Sequence, residues 1–396
     1  MSNVSKEFED SPLGNLPLKW EVQKVSDICF IGRGRVISQL ELSRHPGTYP
    51  VYSSQSKDEG IFGYLDTFDF EGEYVTWTTD GAYAGSVFYR TDKFNCTNVC
   101  GTLKAKSDKL LVRYLAFTLS TRTKKHVSYV GNPKLMNNIM GDILIPLPPL
   151  YEQERIAEIL DSIDLTIDRT TTLIQKLKLM KAGLLNDLLT YGLDENGELR
   201  DPIKHPEQFK DSLLGRIPTE WELQQLSDLS SVDRGKFTHR PRNDPSFYSG
   251  LYPFIQTGDI SKSEGRSLKT YSQTLNERGI KVSKEFPVGT IAVTIAANIA
   301  DTAILGIPMF FPDSVVGVIV QEPNNIRYVE LAISHAKPKL DACASQSAQK
   351  NINLEDLRPL LIAVPRPEEQ HKIAEIYYAH DTRICTEEAY LNKLKN

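Results

Sequence analysis

One stretch of nineteen residues occurs twice in this chain, and it limits the possible folds more than any other feature. DSPLGNLPLKWEVQKVSDI spans residues 10–28, and DSLLGRIPTEWELQQLSDL spans residues 211–229, 201 positions later. Ten positions are identical, including the tryptophans Trp20 and Trp221, and most of the others exchange one apolar residue for another. We call this stretch the Trp repeat. A chain that contains it twice is expected to build the same local structure in two places.

A second pair of similar segments follows, which we call the Pro repeat. LIPLPPLYEQERIAEI spans residues 144–159, and LIAVPRPEEQHKIAEI spans residues 361–376, a displacement of 217. The order is therefore Trp repeat, variable body, Pro repeat and helix, and then the same four again. This order predicts the tandem duplication of a large module, with sixteen additional residues in the second copy, and no short solenoid period.

Each Pro repeat leads into a predicted helix with an apolar seam at alternating spacings of four and three, which is typical of a coiled coil. We predict the first helix over about residues 152–190, and we expect the two helices to pair antiparallel. The alternative is that each helix packs only on its own domain. The apolar seam residues are Ile156, Leu160, Ile163, Ile167, Ile174, Leu177, Leu184 and Leu188 in the first copy, and Ile373, Tyr377, Ile384, Leu391 and Leu394 in the second. Polar residues occupy the remaining seam positions, Thr170 and Lys181 in the first copy and His380 and Glu387 in the second.

The two bodies contain β-branched and aromatic runs interrupted by Gly, Asn, Asp and Pro, followed by short amphipathic helices. These patterns predict mixed globules of short strands and helices. The fold class expected is therefore mixed α/β (α+β), with two globular domains joined by two long antiparallel coiled-coil helices in a pseudo-two-fold tandem repeat. The predicted boundaries are a first domain at 1–147, a helix at 148–192, a linker at 193–210, a second domain at 211–364 and a helix at 365–396.

The composition narrows the class of protein. A length of 396 residues suits two or three domains, and 40% hydrophobic with 24% charged residues is ordinary for a globular protein. Five cysteines without a regular framework, no apolar run of about 18 residues and no signal-peptide pattern predict a cytoplasmic protein with no membrane contact. The net charge of −5 argues against nucleic acid as a partner, unless basic residues are concentrated on one face.

Motifs of catalysis are missing from the sequence. It has no Gly-x-x-x-x-Gly-Lys-Ser/Thr phosphate loop and no Gly-x-Ser-x-Gly nucleophile motif. Its seven histidines are scattered, and Cys96 and Cys100, which could form half of a zinc site, have no second cysteine or histidine pair at a suitable spacing. We therefore predict no catalytic residue, no cofactor and no metal, and interpret the chain as a binding protein.

The order of these elements resembles that of the specificity subunits of type I restriction–modification systems, and the resemblance covers nearly the whole chain. It rests on the two Trp repeats, the two Pro repeats with their heptad helices, and segments such as YPVYSSQSKDEGIFGY and YPFIQTGDISKSEG. The resemblance implies two target-recognition domains that each read half of a split double-stranded DNA site. It also implies a helix pair that sets the spacer between the half-sites. As partners it implies methylation subunits, two of them, and restriction subunits in some complexes.

Side chains with donors and acceptors read base edges, and cations bind phosphates, so residues of these types are the candidate DNA contacts. They lie in corresponding places of the two halves. In the first half they are Arg33, Arg35, Arg44, Tyr83, Lys124, Lys125, Lys134 and Asn137. In the second half they are Lys236, Arg240, Arg242, Asn298, Gln346, Gln349, Lys350 and Asn351. Trp20 and Trp221 stand beside prolines in an apolar frame, and we interpret them as core residues. For any of the charged loops, the alternative is an ordinary solvated surface.

A non-catalytic protein-interaction scaffold is the alternative function, with two globules that bind polypeptides and a rod that spaces them. The acidic net charge favours it. A free-standing enzyme is disfavoured by the missing motifs. Salt distinguishes DNA binding from the scaffold, since contacts with phosphates release counterions and weaken steeply as the salt concentration rises.

Overall fold

The chain folds into two compact units, Met1–Asp168 and Arg169–Asn396. The structure is a computed structural model that describes residues 8–54, 60–296, 298–344 and 351–395. The long helix α5 (Leu150–Thr190) begins in the first unit and ends in the second. In the described ranges, no helix combines the length and apolar character needed to cross a membrane.

The first unit contains two four-stranded sheets, ordered β4-β11-β8-β9 and β6-β5-β10-β7. The first sheet is antiparallel throughout, and the second contains one parallel pair, β5 with β10. Its strands are β1 (Phe8–Ser11), β2 (Gly14–Pro17), β3 (Glu21–Lys24), β4 (Cys29–Arg33), β5 (Tyr49–Tyr52), β6 (Ile61–Leu65), β7 (Phe70–Glu71), β8 (Tyr74–Thr78), β9 (Val87–Arg90), β10 (Lys93–Cys96), β11 (Cys100–Ala105) and β12 (Leu144–Leu147). Its helices are α1 (Val25–Ile28), α2 (Gln39–Arg44), α3 (Val112–Ser120) and α4 (Asn137–Asp142), before α5.

The core of the first unit forms where α3 covers the antiparallel sheet. Leu115 and Leu119 of α3 are fully buried, as are Val75 and Trp77 of β8. The indole of Trp77 donates a hydrogen bond to the Leu135 carbonyl at 2.9 Å, which satisfies its one polar atom. Burial of a tryptophan therefore fixes the segment around Leu135 to the sheet.

The second unit repeats this plan with a five-stranded sheet, β16-β24-β21-β22-β18, and a four-stranded sheet, β19-β17-β23-β20. In the latter only β17 and β23 are parallel, the pattern of the first unit. The strands are β13 (Phe209–Ser212), β14 (Gly215–Pro218), β15 (Glu222–Gln225), β16 (Ser230–Arg234), β17 (Tyr248–Phe254), β18 (Ser267–Leu268), β19 (Gln273–Leu275), β20 (Glu285–Phe286), β21 (Ile291–Thr294), β22 (Thr302–Leu305), β23 (Met309–Phe310), β24 (Val315–Val320) and β25 (Leu361–Val364). The helices are α6 (Leu226–Leu229), α7 (Thr257–Ser263), α8 (Glu277–Lys281), α9 (Ile326–His335), α10 (Lys337–Cys343), α11 (Leu354–Leu357) and α12 (Pro367–Lys395).

Additional chain in the second unit lies between β17 and β20. β5 and β6 are separated by residues 53–60, whereas β17 and β19 are separated by residues 255–272, which form α7 and β18. The following connection, from β19 to β20, is also longer than that from β6 to β7 and contains α8. The sixteen-residue excess expected from the two displacements is therefore concentrated in one region of the second body.

The two copies of the Trp repeat form the same hairpin. β1 pairs with β2 and β13 with β14 in equivalent registers, and the glycines at the turns, Gly14 and Gly215, have φ of 94° and 92°. Each repeat continues into a strand that pairs antiparallel with the strand of its own Pro repeat, β3 with β12 and β15 with β25. The two repeated segments of each half are therefore neighbours in space.

Hydrogen bonds then join each Trp repeat to the helix that follows its Pro repeat. The indole of Trp20 donates to a carboxylate oxygen of Glu152 at 2.8 Å, and that of Trp221 donates to Glu369 at 3.2 Å. Trp221 is fully buried and Trp20 is half-buried, so the interpretation of both as core residues holds fully only for Trp221. Glu369 also binds the Arg200 guanidinium at 2.6 Å, so its carboxylate is paired where it is buried.

Within the second unit, the C-terminal half of α5 packs antiparallel against α12. Lys178 pairs with Glu388 and Lys181 with Asp381, so residue numbers rise along one helix as they fall along the other. Of the seam residues, Ile174, Leu177, Leu188, Ile373 and Ile384 are buried, and Leu184, Tyr377, Leu391 and Leu394 are half-buried. In the first unit Ile156, Leu160, Ile163 and Ile167 are half-buried. The antiparallel helix pair of the expected fold class is thus present.

A buried carboxyl group lies where α9 meets α12. Glu330 is almost completely buried and accepts hydrogen bonds from the hydroxyls of Thr302 at 2.5 Å and Tyr378 at 2.8 Å. Burial raises the pKa of Glu330 to about 7, although both hydrogen bonds and the nearby Lys181 oppose the shift. Asp381 is the acidic group that adds to it. At neutral pH this carboxyl group is thus partly protonated in the folded chain.

The titration of Glu330 makes the stability of the second unit depend on pH. The unfolded chain loses this proton near pH 4.3 and the folded chain near pH 7, so the wild type loses stability as the pH rises between these values. Glu330→Gln cannot ionise. We therefore expect the free energy of unfolding of this variant, relative to that of the wild type, to increase by about 3 kcal/mol as the pH rises from 4 to 8. Urea unfolding at several pH values measures this gain. The matched control is Glu355→Gln at an exposed position of α11, and equal pH profiles for the two variants would contradict the prediction.

Candidate nucleic-acid interface

Three segments of the first unit meet at one end of the antiparallel sheet, and we call them the first loop cluster. They are residues 32–35 at the end of β4, residues 79–86 between β8 and β9, and residues 123–137 before and within α4. The amide of Gly81 donates to the Pro133 carbonyl at 3.0 Å, and the amide of Leu135 donates to Thr79 at 2.9 Å. The side chain of Asn137 donates to the Gly32 carbonyl at 3.2 Å. Backbone and side-chain hydrogen bonds thus fix all three segments to one another.

Arg33, a predicted DNA contact, is bound inside the first loop cluster. Its guanidinium donates to the carbonyl of Asn98 at 2.6 Å and pairs with Asp80 at 3.1 Å. Lys134 lies on the other carboxylate oxygen of Asp80, at 3.8 Å. Asp80 therefore holds two of the predicted cations, and the arginine supports the loop between β8 and β9.

Arg35 is also paired, whereas Arg44 is not. Arg35 binds Glu41 at 2.7 Å and Asp69 at 2.9 Å, and the hydrogen bond with Glu41 is the main cause that raises its pKa. Arg44 is exposed in the last turn of α2, without an ionic partner among the described residues. The two arginines thus differ in their freedom to bind a phosphate.

Lys124 and Lys125 lie on a single 3-10 turn, Thr123–His126, beside the loop between β8 and β9. Thr123 is buried and donates its hydroxyl hydrogen to the Gly85 carbonyl at 2.6 Å, which places the two lysines next to residues 79–86. Both lysines are exposed and have no ionic partner in the described part of the chain. Tyr83, at the tip of that loop, is half exposed. The first loop cluster therefore presents free positive charge next to an aromatic ring.

The second unit contains an equivalent cluster, which we call the second loop cluster: residues 233–236 at the end of β16, residues 295–301 between β21 and β22, and residues 351–353. The amide of Ile352 donates to the Ile295 carbonyl at 3.0 Å, the counterpart of the bond from Leu135 to Thr79. The guanidinium of Arg234 donates to the Asn353 side chain at 3.4 Å. Ala297, within the second of these segments, is outside the described residues.

A glycine in each cluster lets the chain cross another backbone segment at close range. A Cβ atom on Gly34 would lie 2.2 Å from the Cys96 carbonyl oxygen, and one on Gly235 would lie 2.3 Å from that of Pro312. The amide of Gly34 donates to the Cys100 carbonyl at 3.0 Å, and that of Gly235 donates to the Val315 carbonyl at 2.8 Å. These glycines stand 201 positions apart, so the repeated structure extends beyond the Trp repeat into both clusters.

Candidate residues of the second half are placed as follows. Lys236 follows Gly235 and is exposed, without an ionic partner among the described residues. Arg240 and Arg242 both pair with Asp313, in the turn between β23 and β24. The exposed Asn298 donates to Ser261 at 3.1 Å, and Asn351 is exposed opposite Ala296. The remaining three, Gln346, Gln349 and Lys350, lie outside the described residues.

Arg234 is the cluster residue that the sequence reasoning missed. It stands 201 positions after Arg33, as Lys236 does after Arg35, and it follows the same strand into the same glycine. The constant displacement, continued five residues past the Trp repeat, would have identified it. As for metals, the described residues contain no group of three or more His, Cys, Asp or Glu side chains that could hold an ion.

A methyl group at Gly34 is expected to disrupt the first loop cluster. Gly34→Ala must move backbone atoms, because its Cβ would lie within 2.5 Å of residues Cys96 and Thr97, and overpacking of this kind costs about 1–3 kcal/mol. Thermal unfolding measures the loss. Gly183→Ala in α5 is the control, since its Cβ meets no atom within 4 Å and alanine is a better helix former. Equal stability of the two variants would refute this account of Gly34.

Comparison with known proteins gives a family match in both halves. The family model described as the type I restriction modification DNA specificity domain matches residues 17–179 and again residues 218–396. Each match includes one loop cluster and one long helix segment.

Relatives in Mycoplasma pneumoniae align with parts of the chain. One putative type I specificity subunit, an N-terminal part, is 49% identical over 140 residues, which is 35% of this chain and 75% of the relative. A second is 43% identical over 194 residues, 48% of this chain and 53% of the relative. The specificity subunit of the type I restriction enzyme MpnII is 44% identical over 147 residues, 37% of this chain and 44% of the relative. For the last two, the alignment thus covers about half of the relative.

Two solved structures share the fold over nearly their whole length. The S subunit of a type I restriction–modification system from M. genitalium has a TM-score of 0.60 at 14% identity, with 95% of this chain and 93% of that chain covered. The HsdS subunit of Thermoanaerobacter tengcongensis has a TM-score of 0.50 at 15% identity, with 98% and 96% covered. At these identities the likeness concerns the fold.

Proposed function

This chain belongs to the type I restriction modification DNA specificity family, and we propose that each of its units reads one half of a bipartite DNA sequence. The observation that carries the proposal is the duplicated loop cluster. In both units the loop of a hairpin and a segment before the Pro repeat are joined by an equivalent backbone bond, and side-chain hydrogen bonds attach the Arg-Gly-Arg/Lys segment to them. A site built twice on the same frame suits a ligand with two separate half-sites.

The free cations and the exposed polar groups among the candidate residues divide into two roles in this proposal. Arg44, Lys124, Lys125 and Lys236 bind phosphates, since they are exposed and lack ionic partners among the described residues. Tyr83, Asn298 and Asn351 lie in the loops that approach base edges. The paired residues Arg33, Arg35, Arg234, Arg240 and Arg242 hold these loops in position. The assignment reconciles DNA binding with a net charge of −5, because local cations rather than the overall charge face the ligand.

The same reasoning extends to the assembly in which the chain works. We propose that it is a non-catalytic cytoplasmic subunit, that it requires no cofactor, and that methylation subunits, two of them, supply the chemistry. Restriction subunits join them where cleavage is needed. α5 and α12 set the spacer between the half-sites and dock the methylation subunits. Membership in the specificity family supports this assembly over the protein-interaction scaffold.

Exchange of one body tests whether the two units read independently. Residues 230–360 are replaced by the corresponding body of a relative with another target, and the chain is co-expressed with its methylation subunits. We expect the mapped methylation site to change in one half only, because the Trp221–Glu369 contact and the β15–β25 pair are retained. Exchange of residues 211–229 alone is the control and leaves the site unchanged. A change of both half-sites would refute independent reading.

Salt dependence tests the proposed phosphate contacts. Lys124→Ala/Lys125→Ala removes two free cations from the first loop cluster, and each phosphate contact contributes about −0.9 to the slope of log K against log salt concentration. We expect the slope for the assembled complex to become less steep by nearly two, with equal weakening on specific and random DNA. Lys19→Ala/Lys109→Ala removes the same charge from exposed positions of the first unit, outside the loop cluster and the long helices, as a control. If both double variants keep the wild-type slope, Lys124 and Lys125 do not bind phosphates.

A further inference from the structure

The first loop cluster includes a small hairpin whose tip is apolar. Ser128 and Lys134 exchange two backbone hydrogen bonds, both at 2.9 Å, and so close a loop of five residues. The flanking residues, Val127 and Leu135, are buried in the core of the first unit. The hairpin is therefore anchored at its base and carries residues 129–133 as a defined tip.

Two large apolar side chains at this tip are exposed to solvent. Tyr129 is 71% exposed and Val130 is 92% exposed, and because they are adjacent in sequence they form one apolar surface. Apolar surface displayed on an anchored loop is unfavourable in water and typically marks a surface that a partner covers. The fold does not require apolar groups here, since the core contacts of the hairpin come from Val127 and Leu135.

The surroundings of the tip are basic. Lys134 stands at the base of the hairpin, and Lys124 and Lys125 precede it on an exposed turn. The acidic side chain of the cluster, Asp80, is already paired with Arg33 and Lys134. An apolar tip flanked by lysines suits a polyanion with apolar groups inside a charged outer surface, and DNA has this arrangement, with bases between two phosphate backbones.

We propose that Tyr129 and Val130 contact bases directly, as specificity determinants of the first half-site. The inference rests on the proposed function, since it takes DNA as the ligand of the first loop cluster. Neither side chain carries a charge that could neutralise a phosphate, so the tip contributes through van der Waals contact with base edges or base faces in a groove and through the hydrogen-bonding hydroxyl of Tyr129. Lys124 and Lys125, which precede the hairpin and have no ionic partner among the described residues, bind the phosphates. The apolar pair therefore adds discrimination between sequences, and the lysines add affinity for any sequence.

The test uses the chain assembled with its methylation subunits and three duplexes: the mapped site, the site with its first half scrambled, and the site with its second half scrambled. Affinity is measured for the wild type and for Tyr129→Ser/Val130→Ser. We expect the preference for an intact first half to fall at least tenfold in the variant. The preference for an intact second half, the affinity for the first-half scrambled duplex and the salt slope stay at wild-type values.

Controls separate this proposal from the function on which it rests. Leu18→Ser removes another exposed apolar side chain of the first unit, away from the loop cluster, and leaves both preferences unchanged. Val130→Ala serves as a milder variant, and thermal unfolding verifies the fold of each. If the wild type itself shows no preference for its site, the proposed function fails. If the wild type discriminates and the double variant discriminates equally, or if the variant fails to assemble with the methylation subunits, the tip does not contact bases.

Discussion

The hydrogen bond between a tryptophan indole and a glutamate in the first turn of a long helix is the contact on which both halves depend. It connects the Trp repeat to α5 through Glu152 and to α12 through Glu369. The neighbouring glutamines are Gln153 and Gln370. The side-chain oxygen of each accepts a hydrogen bond from a backbone amide in the loop before α3 or α9, and the side-chain nitrogen donates to a proline carbonyl of the same Pro repeat. The repeated residues are therefore those that attach a body to its helix, and the bodies are free to differ.

The helices and the duplication could be predicted because they rest on local patterns. A seam of apolar residues every three or four positions specifies α5, and a constant displacement of 201 specifies the paired hairpins. The state of the candidate cations could not be predicted, because their partners are distant in sequence. Arg33 is paired with Asp80, 47 residues away, and Arg240 with Asp313, 73 residues away. Charge in a loop shows that a cation is present but not whether a carboxylate already binds it.

Additional chain in the second body has a structural role beyond length. The segment between β17 and β19 includes Arg266, whose guanidinium binds Asp381 of α12 at 2.7 Å. Although burial raises the pKa of Asp381, hydrogen bonds from Arg266 and Lys181 outweigh it, and the pKa lies below its usual value. A charged carboxylate between two cations thus connects the additional segment, α5 and α12 within one unit. The additional segment thus contributes to the packing of α5 against α12.

The carboxylates that occupy the arginines have a consequence for how the protein finds its target. Every random stretch of DNA offers phosphates, and a genome contains roughly 10⁶–10⁹ competing positions. Arginines held by Glu41, Asp69, Asp80 and Asp313 are withdrawn from that competition, since a phosphate must first displace a carboxylate. Under the proposed function, residence on wrong sequences is thereby shortened, and more of the search time remains for the correct one. Acidic groups near the proposed DNA-binding surface would then increase the speed of the search, at the expense of overall affinity.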